Sequence, residues 1–118
     1  MTEFVLGLDW DGTASHYRRE VAMLAAQSSR VVIITLNDTI TKASASRWLG
    51  VEPERVQVEH CPDDRVEDYW AWKAERCTAQ GVALMIDDDR FVSEACWTAG
   101  IPCLWVVEKP LAFLGAHE

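Results

Sequence analysis

The side chains best suited to chemistry in this sequence are Asp9, Asp11, Thr35, Lys73 and the run Asp87-Asp88-Asp89. Asp9 and Asp11 close an apolar run, Val5-Leu6-Gly7-Leu8, at i, i+2 spacing, and Gly12-Thr13 follow at once. If the strand continues through them, alternation directs both carboxylates to one side. A second apolar run, Val82–Ile86, also ends in acids. Carboxylates gathered in one place resist ionising together unless a cation sits among them. An oxygen donor set without His or Cys suits Mg²⁺ better than zinc or copper. The hydroxyl of Thr35 can hydrogen-bond an incoming oxyanion, and a lysine can offset its charge. Of the three lysines, Lys73 is better sited than Lys42 or Lys109. A carboxylate nucleophile beside a metal, with a second carboxylate moving the proton, suits phosphoryl transfer through an aspartyl-phosphate.

These groups act together only if the fold brings them together, and the order of elements predicts that it does. Phe4–Leu8 reads as a strand and Tyr17–Gln27 as a helix that Ser15 can cap. Val31–Ile34 is a β-branched run of the kind found in strands covered on both faces, and it ends in Thr35. A helix opened by Asp38 or Thr39 runs to Leu49 and stops at Gly50. Arg55–His60 reads as a shorter strand nearer an edge, and Asp63 or Asp64 opens a long helix through Ala79, closed by Gly81. Val82–Ile86 is a buried strand, Phe91–Ala99 a helix, Cys103–Val107 the last strand and Pro110–Ala116 a short terminal helix. Five strands alternating with four helices imply an α/β fold: a doubly wound parallel sheet with helices on both faces. Ligands bind such sheets outside the carboxyl ends of the strands. That rim is where Asp9, Asp11, Thr35 and Asp87 to Asp89 converge.

With those positions set out, the chain resembles the haloacid dehalogenase-like (HAD) superfamily, mostly phosphohydrolases. The first motif of that family, D-x-D-x-T after an apolar strand, is matched by Asp9-Trp10-Asp11-Gly12-Thr13. The second, a strand ending in Thr or Ser, is matched by Val31 to Thr35, the lysine of the third by Lys73, and the paired acids of the fourth by Ile86-Asp87-Asp88. The match runs from Phe4 to Val107. The resemblance implies a Rossmann-like HAD core, Asp9 as nucleophile and metal ligand, and Asp11 as general acid and then base, its backbone carbonyl on the metal. It implies Thr35 and Lys73 on the phosphoryl oxygens, Asp88 directly on Mg²⁺, and Asp87 or Asp89 assisting through water. An acid at Asp11 favours phosphate chemistry over dehalogenation. The sequence departs from the family in one respect: only Ala14-Ser15-His16 separates Thr13 from the next helix, and no insertion is long enough for a cap domain. The expected site is therefore open.

Length and composition set the bounds. At 118 residues the chain suits one domain, and no apolar run approaches the roughly 20 residues that span a bilayer. Met1-Thr2-Glu3 lacks the basic flank of a signal peptide, and Cys61, Cys77, Cys96 and Cys103 show no metal-site spacing, so reduced thiols in a cytoplasmic protein are expected. A net charge of −8 argues against a protein that tracks nucleic-acid phosphates but not against a small phosphorylated substrate such as a nucleotide. Trp70 and Trp72 lie about 200° apart on a helix, so one of them can mark a contact with a second copy. His16, Arg18 and Arg19 read as a solvated helical turn, and Arg90 as a neighbour of the acids that either binds an anion or neutralises them.

The function expected is Mg²⁺-dependent phosphomonoester hydrolysis. A phosphorylatable receiver domain shares the sheet and an Asp/Thr/Lys set. Its phosphoacceptor, however, ends the third strand, where this chain has Glu59-His60. The remaining alternative is an interaction protein that keeps the motifs and turns over little.

Overall fold

The computed structural model describes residues 3–107. The expected helix over Pro110–Ala116 lies outside them. Five parallel strands, β1 (Val5–Leu8), β2 (Arg30–Thr35), β3 (Val56–His60), β4 (Leu84–Asp87) and β5 (Cys103–Trp105), form one sheet in the order β3-β2-β1-β4-β5. Four helices connect them: α1 (Arg18–Gln27), α2 (Lys42–Leu49), α3 (Tyr69–Gln80) and α4 (Arg90–Thr98). This is the doubly wound sheet expected, with no cap domain among the described residues.

Strand alternation divides the core in two. Leu6, Leu8, Val31 and Ile33 pack with Val21 and Ala25 of α1 and Ala45 and Leu49 of α2. Val5, Val32, Ile34 and Met85 pack on the other face with Trp72, Ala74 and Cys77 of α3 and Val92 and Cys96 of α4. Gly7 belongs to this second face, where a Cβ would stand 2.9 Å from both Met85 Sδ and Val82 Cγ1. Its missing side chain lets the two strands' neighbours close over β1. Connections through α1 and α2 step the chain toward β3, and those through α3 and α4 step it toward β5. The order therefore reverses between β1 and β4, the position where such sheets bind ligands.

Several boundaries differ from expectation for local reasons. Thr41, rather than Asp38 or Thr39, caps α2, because it forms a reciprocal pair with Ser44: each side chain accepts from the other's backbone N–H, at 3.0 Å. Ser15 does not cap α1; its Oγ accepts from Gly12 N at 3.1 Å and holds the preceding turn. The expected long helix from Asp63 begins as 3₁₀ turns over Asp63–Asp68, and α3 starts at Tyr69. Arg65 braces the junction, donating to Asp68 (2.8 Å) and Glu75 (2.7 Å). Trp72 is buried and Trp70 exposed, as their angular separation requires. All four cysteines are free thiols; Cys77, Cys96 and Cys103 are buried in the second core. No helix among the described residues is long and apolar enough to cross a membrane.

Candidate active site

Asp9 follows Leu8 and keeps extended geometry (φ −72°, ψ 154°), its N–H donating to Ile86 O at 3.0 Å. It shares the parity of Val5 and Gly7, so its carboxylate faces α3. Asp87, with the parity of Met85, faces the same way from β4. Between them stands Lys73 of α3, whose Nζ donates to Asp9 Oδ1 at 2.7 Å and to Asp87 Oδ2 at 2.9 Å. All three side chains are buried. The remaining oxygens are also engaged: Thr13 Oγ1 donates to Asp9 Oδ2 at 3.1 Å and Asp89 N to Asp87 Oδ1 at 2.9 Å.

Burial dominates the electrostatics. It pushes the carboxyls of Asp9 and Asp87 up to about 6, against the pull of Lys73, and the nearby Asp88 carboxylate adds to the rise at Asp9. Burial opposes charge on Lys73 as well, but the two carboxylates outweigh it and hold the ammonium well above its ordinary range.

Asp9, Asp87 and Asp88 offer oxygens that all lie within 4.8 Å of one another. Three carboxylates against one ammonium leave two negative charges, and the donors are hard oxygens. Both properties fit a divalent ion of the Mg²⁺ class. Asp88 is the exposed member, and close approach is built into its surroundings. Gly12 has φ +80°, and a Cβ there would meet Asp88 Oδ2 at 2.1 Å. Asp89 is committed elsewhere. It caps α4, accepting from Phe91 N (2.8 Å) and Val92 N (3.3 Å), and Tyr69 OH donates to its other oxygen. The acidic run thus divides between a gathered pair, Asp87 and Asp88, and a helix cap.

Asp11 is not in the gathered set, because the strand does not continue to it. Residues Trp10–Ala14 turn helically, with non-helical torsions at Asp11 and Gly12, so alternation carries through Asp9 and ends there. The Asp11 carboxylate is exposed and accepts from Asn37 Nδ2 at 3.2 Å. Asn37 N donates to Thr35 Oγ1 at 2.9 Å, so one asparagine ties the end of β2 to the turn after β1. Thr35 itself is buried.

Sequence reasoning gave no role to Thr13, Asn37 or Tyr69. Thr13 had a signal, since it lies one turn beyond Asp9. The pairing of Asn37 with Asp11 and of Tyr69 with Asp89 joins segments far apart in the chain and had none. Arg18 serves the core edge: its guanidinium carbon lies 4.3 Å from the centre of the Trp48 ring, and its Nε donates to Trp48 O at 3.0 Å. Trp10 packs against Trp48 with centroids 6.2 Å apart and ring planes tilted by 52°. Arg90 pairs with Glu94 at 3.0 Å and not with the acidic run.

No protein-family model matches the sequence, and no curated protein matches it. Among solved structures, the fold is similar to that of the HAD domain of the effector protein Lem4 from Legionella pneumophila, an inactive mutant. The TM-score is 0.51 and the identity 11%, over 99% of this chain and 91% of that one. SulA from Pseudomonas aeruginosa aligns with a TM-score of 0.49 and 15% identity, over 87% of this chain and 96% of that one. The chain has an α/β fold like that of a HAD domain, with a partly buried acidic cluster suited to a metal ion at its topological switch point.

Proposed function

We propose that the chain is a Mg²⁺-dependent phosphomonoesterase working through an aspartyl-phosphate. The observation that carries this reading is the bridge from Lys73 to Asp9 and Asp87 beside Asp88, at the carboxyl ends of β1 and β4. Mg²⁺ would be held by Asp9 and Asp88, with the backbone carbonyl of Asp11 and with Asp87 through water, and would neutralise charge on the transferring phosphoryl group. Asp9 attacks phosphorus, and the leaving alcohol takes its proton from Asp11. Water then attacks the aspartyl-phosphate as Asp11 takes a proton from it, and phosphate departs. Lys73 keeps Asp9 ionised, because an ammonium 2.7 Å away favours the carboxylate that burial disfavours. The Thr35 hydroxyl and the Lys73 ammonium stabilise negative charge on the phosphoryl oxygens. Asn37 aims Asp11 at the leaving group.

The test is hydrolysis of an aryl phosphate with Mg²⁺ and with chelator, by the native chain and by Asp9→Asn. Metal-dependent release that Asp9→Asn abolishes is the expected result. A second reading, an interaction protein of HAD-like fold, is favoured by an apolar groove of about 730 Å³ between α3 and α4, bordered by the exposed Trp70 and Phe91. Mg²⁺ binding with no turnover across a panel of phosphate esters would select it.

A further inference from the structure

Beside the acidic cluster, Gly12, Asp88, Trp105, Val106 and Val107 line a cleft of about 240 Å³. Trp105 and Val107 are 49% and 60% exposed, more than apolar side chains need be at the end of an edge strand. The Trp105 ring is nevertheless fixed, because its Nε1 donates to the backbone carbonyl of Asp88 at 3.1 Å. With its one donor spent, the indole offers the cleft only a π face. Gly12, lacking a side chain, leaves the space beside the Asp88 carboxylate free. The cleft opens from Asp88 itself, so whatever occupies it adjoins any phosphate held at the acids.

We infer that this cleft seats the leaving group of the phosphoester, and that this group is a neutral planar ring system of the nucleoside kind. The inference rests on the phosphatase reading of the adjoining acids and deepens it. Size agrees: a cavity of about 150 Å³ accepts benzene, so the cleft has room for a purine-sized ring. Charge agrees as well. Among the described residues Lys73 is paired with Asp9 and Asp87, and Arg90 with Glu94, so a second phosphate or a carboxylate on the leaving group would meet Asp88 and Asp11 with neither of these cations free to receive it. A net charge of −8 penalises a polyanionic substrate further. A monophosphate on a neutral ring-bearing alcohol satisfies both constraints.

The experiment compares adenosine 5′-monophosphate with glycerol 2-phosphate, using the full chain with Mg²⁺. The native chain is expected to prefer the nucleotide in kcat/KM. Trp105→Leu should lower that preference about tenfold, the usual scale of one lost base–aromatic stack, while Trp105→Phe retains most of it. Val107→Asp, a surface change that leaves the core intact, should lower the preference as well by placing a carboxylate on the apolar wall. Calorimetric binding of the nucleotide to Asp9→Asn, which needs no turnover, should weaken in the same order when these changes are added. An unchanged preference in both Trp105→Leu and Val107→Asp would overturn the inference, as would nucleotide binding no tighter than that of inorganic phosphate. Trp105-dependent binding without turnover would overturn the phosphatase reading and leave the ring pocket standing. Turnover of both esters indifferent to Trp105 would do the reverse.

Discussion

Asn37 donates its side-chain amide to the Asp11 carboxylate across 3.2 Å, joining the loop after β2 to the turn after β1. Asn37 is held in turn, since its Oδ1 accepts from Thr39 N at 3.0 Å and from Thr39 Oγ1 at 2.6 Å. Asp11 is therefore aimed by a chain of fixed groups although its carboxylate is exposed. Asn37→Ala removes the aiming contact and leaves the acidic cluster intact. Turnover should fall roughly fivefold, the value of one hydrogen bond of about 1 kcal/mol, with Mg²⁺ affinity unchanged. Steady-state kinetics with a parallel metal titration checks both halves.

Lys73 supplies the positive charge between two buried carboxylates, and Lys73→Met would leave them facing one another. Removing one partner from a buried ionic cluster costs about 3–5 kcal/mol. The loss should be largest near pH 7.5 and partly recovered near pH 5, where Asp9 and Asp87 can take up protons. Denaturant unfolding at the two pH values measures it; equal losses at both would contradict the bridge seen here.

The native chain without metal should also be more stable near pH 5 than near pH 7.5. Asp9 and Asp87 sit at about 6 in the fold, above the ordinary carboxylate value, so folding favours their protonated forms. A raised carboxyl contributes stability that is fully present below its unfolded value and is lost as pH rises through the folded one. Each proton involved is worth about 1.4 kcal/mol per pH unit within that window. Asp68 and Glu75, lowered chiefly by hydrogen bonds to Arg65, act in the opposite sense only as pH falls through the ordinary carboxylate range. Saturating Mg²⁺ should stabilise the ionised cluster and shrink or invert the difference. Thermal melts in chelator and in Mg²⁺ would show it.

Gly12→Ala brings a Cβ into the space of Asp88 Oδ2 and strains a backbone at φ +80°. A stability loss of about 1 kcal/mol is expected from the backbone. The more telling effect is on metal binding, because Asp88 must move: Mg²⁺ affinity should fall at least tenfold. A calorimetric titration that found native affinity in Gly12→Ala would remove Asp88 from the ligand set.

Sheet and helices were legible because burial imposes period. The β-branched run Val31–Ile34 lies between two neighbouring strands, and the weakly alternating Val56–His60 lies at an edge, as each pattern demands. The meeting of Asp9 with Asp87 was legible too, because a parallel α/β sheet gathers its strand ends on one rim. What escaped depended on side chains competing for backbone donors. Thr41 displaced Asp38 as a cap through its pairing with Ser44, and Asp89 was drawn from the acidic run to the first turn of α4. Strand alternation does not decide the side of Asp11, because the chain leaves the strand after Asp9 and turns. Contacts such as Tyr69 with Asp89 and Trp105 with the Asp88 carbonyl require a register between distant elements that no local pattern carries.

The position of β1 has a consequence for synthesis. It is the centre of the sheet yet is the first of the five strands to leave the ribosome, and its partner β4 emerges long after β2. Until then the nascent chain can form β3-β2-β1 with one side of β1 unpaired, an open template for association with other chains. Docking of β4 closes that edge and delivers Asp87 to Lys73 in the same movement, so the acidic cluster is completed only when the vulnerable strand is sealed.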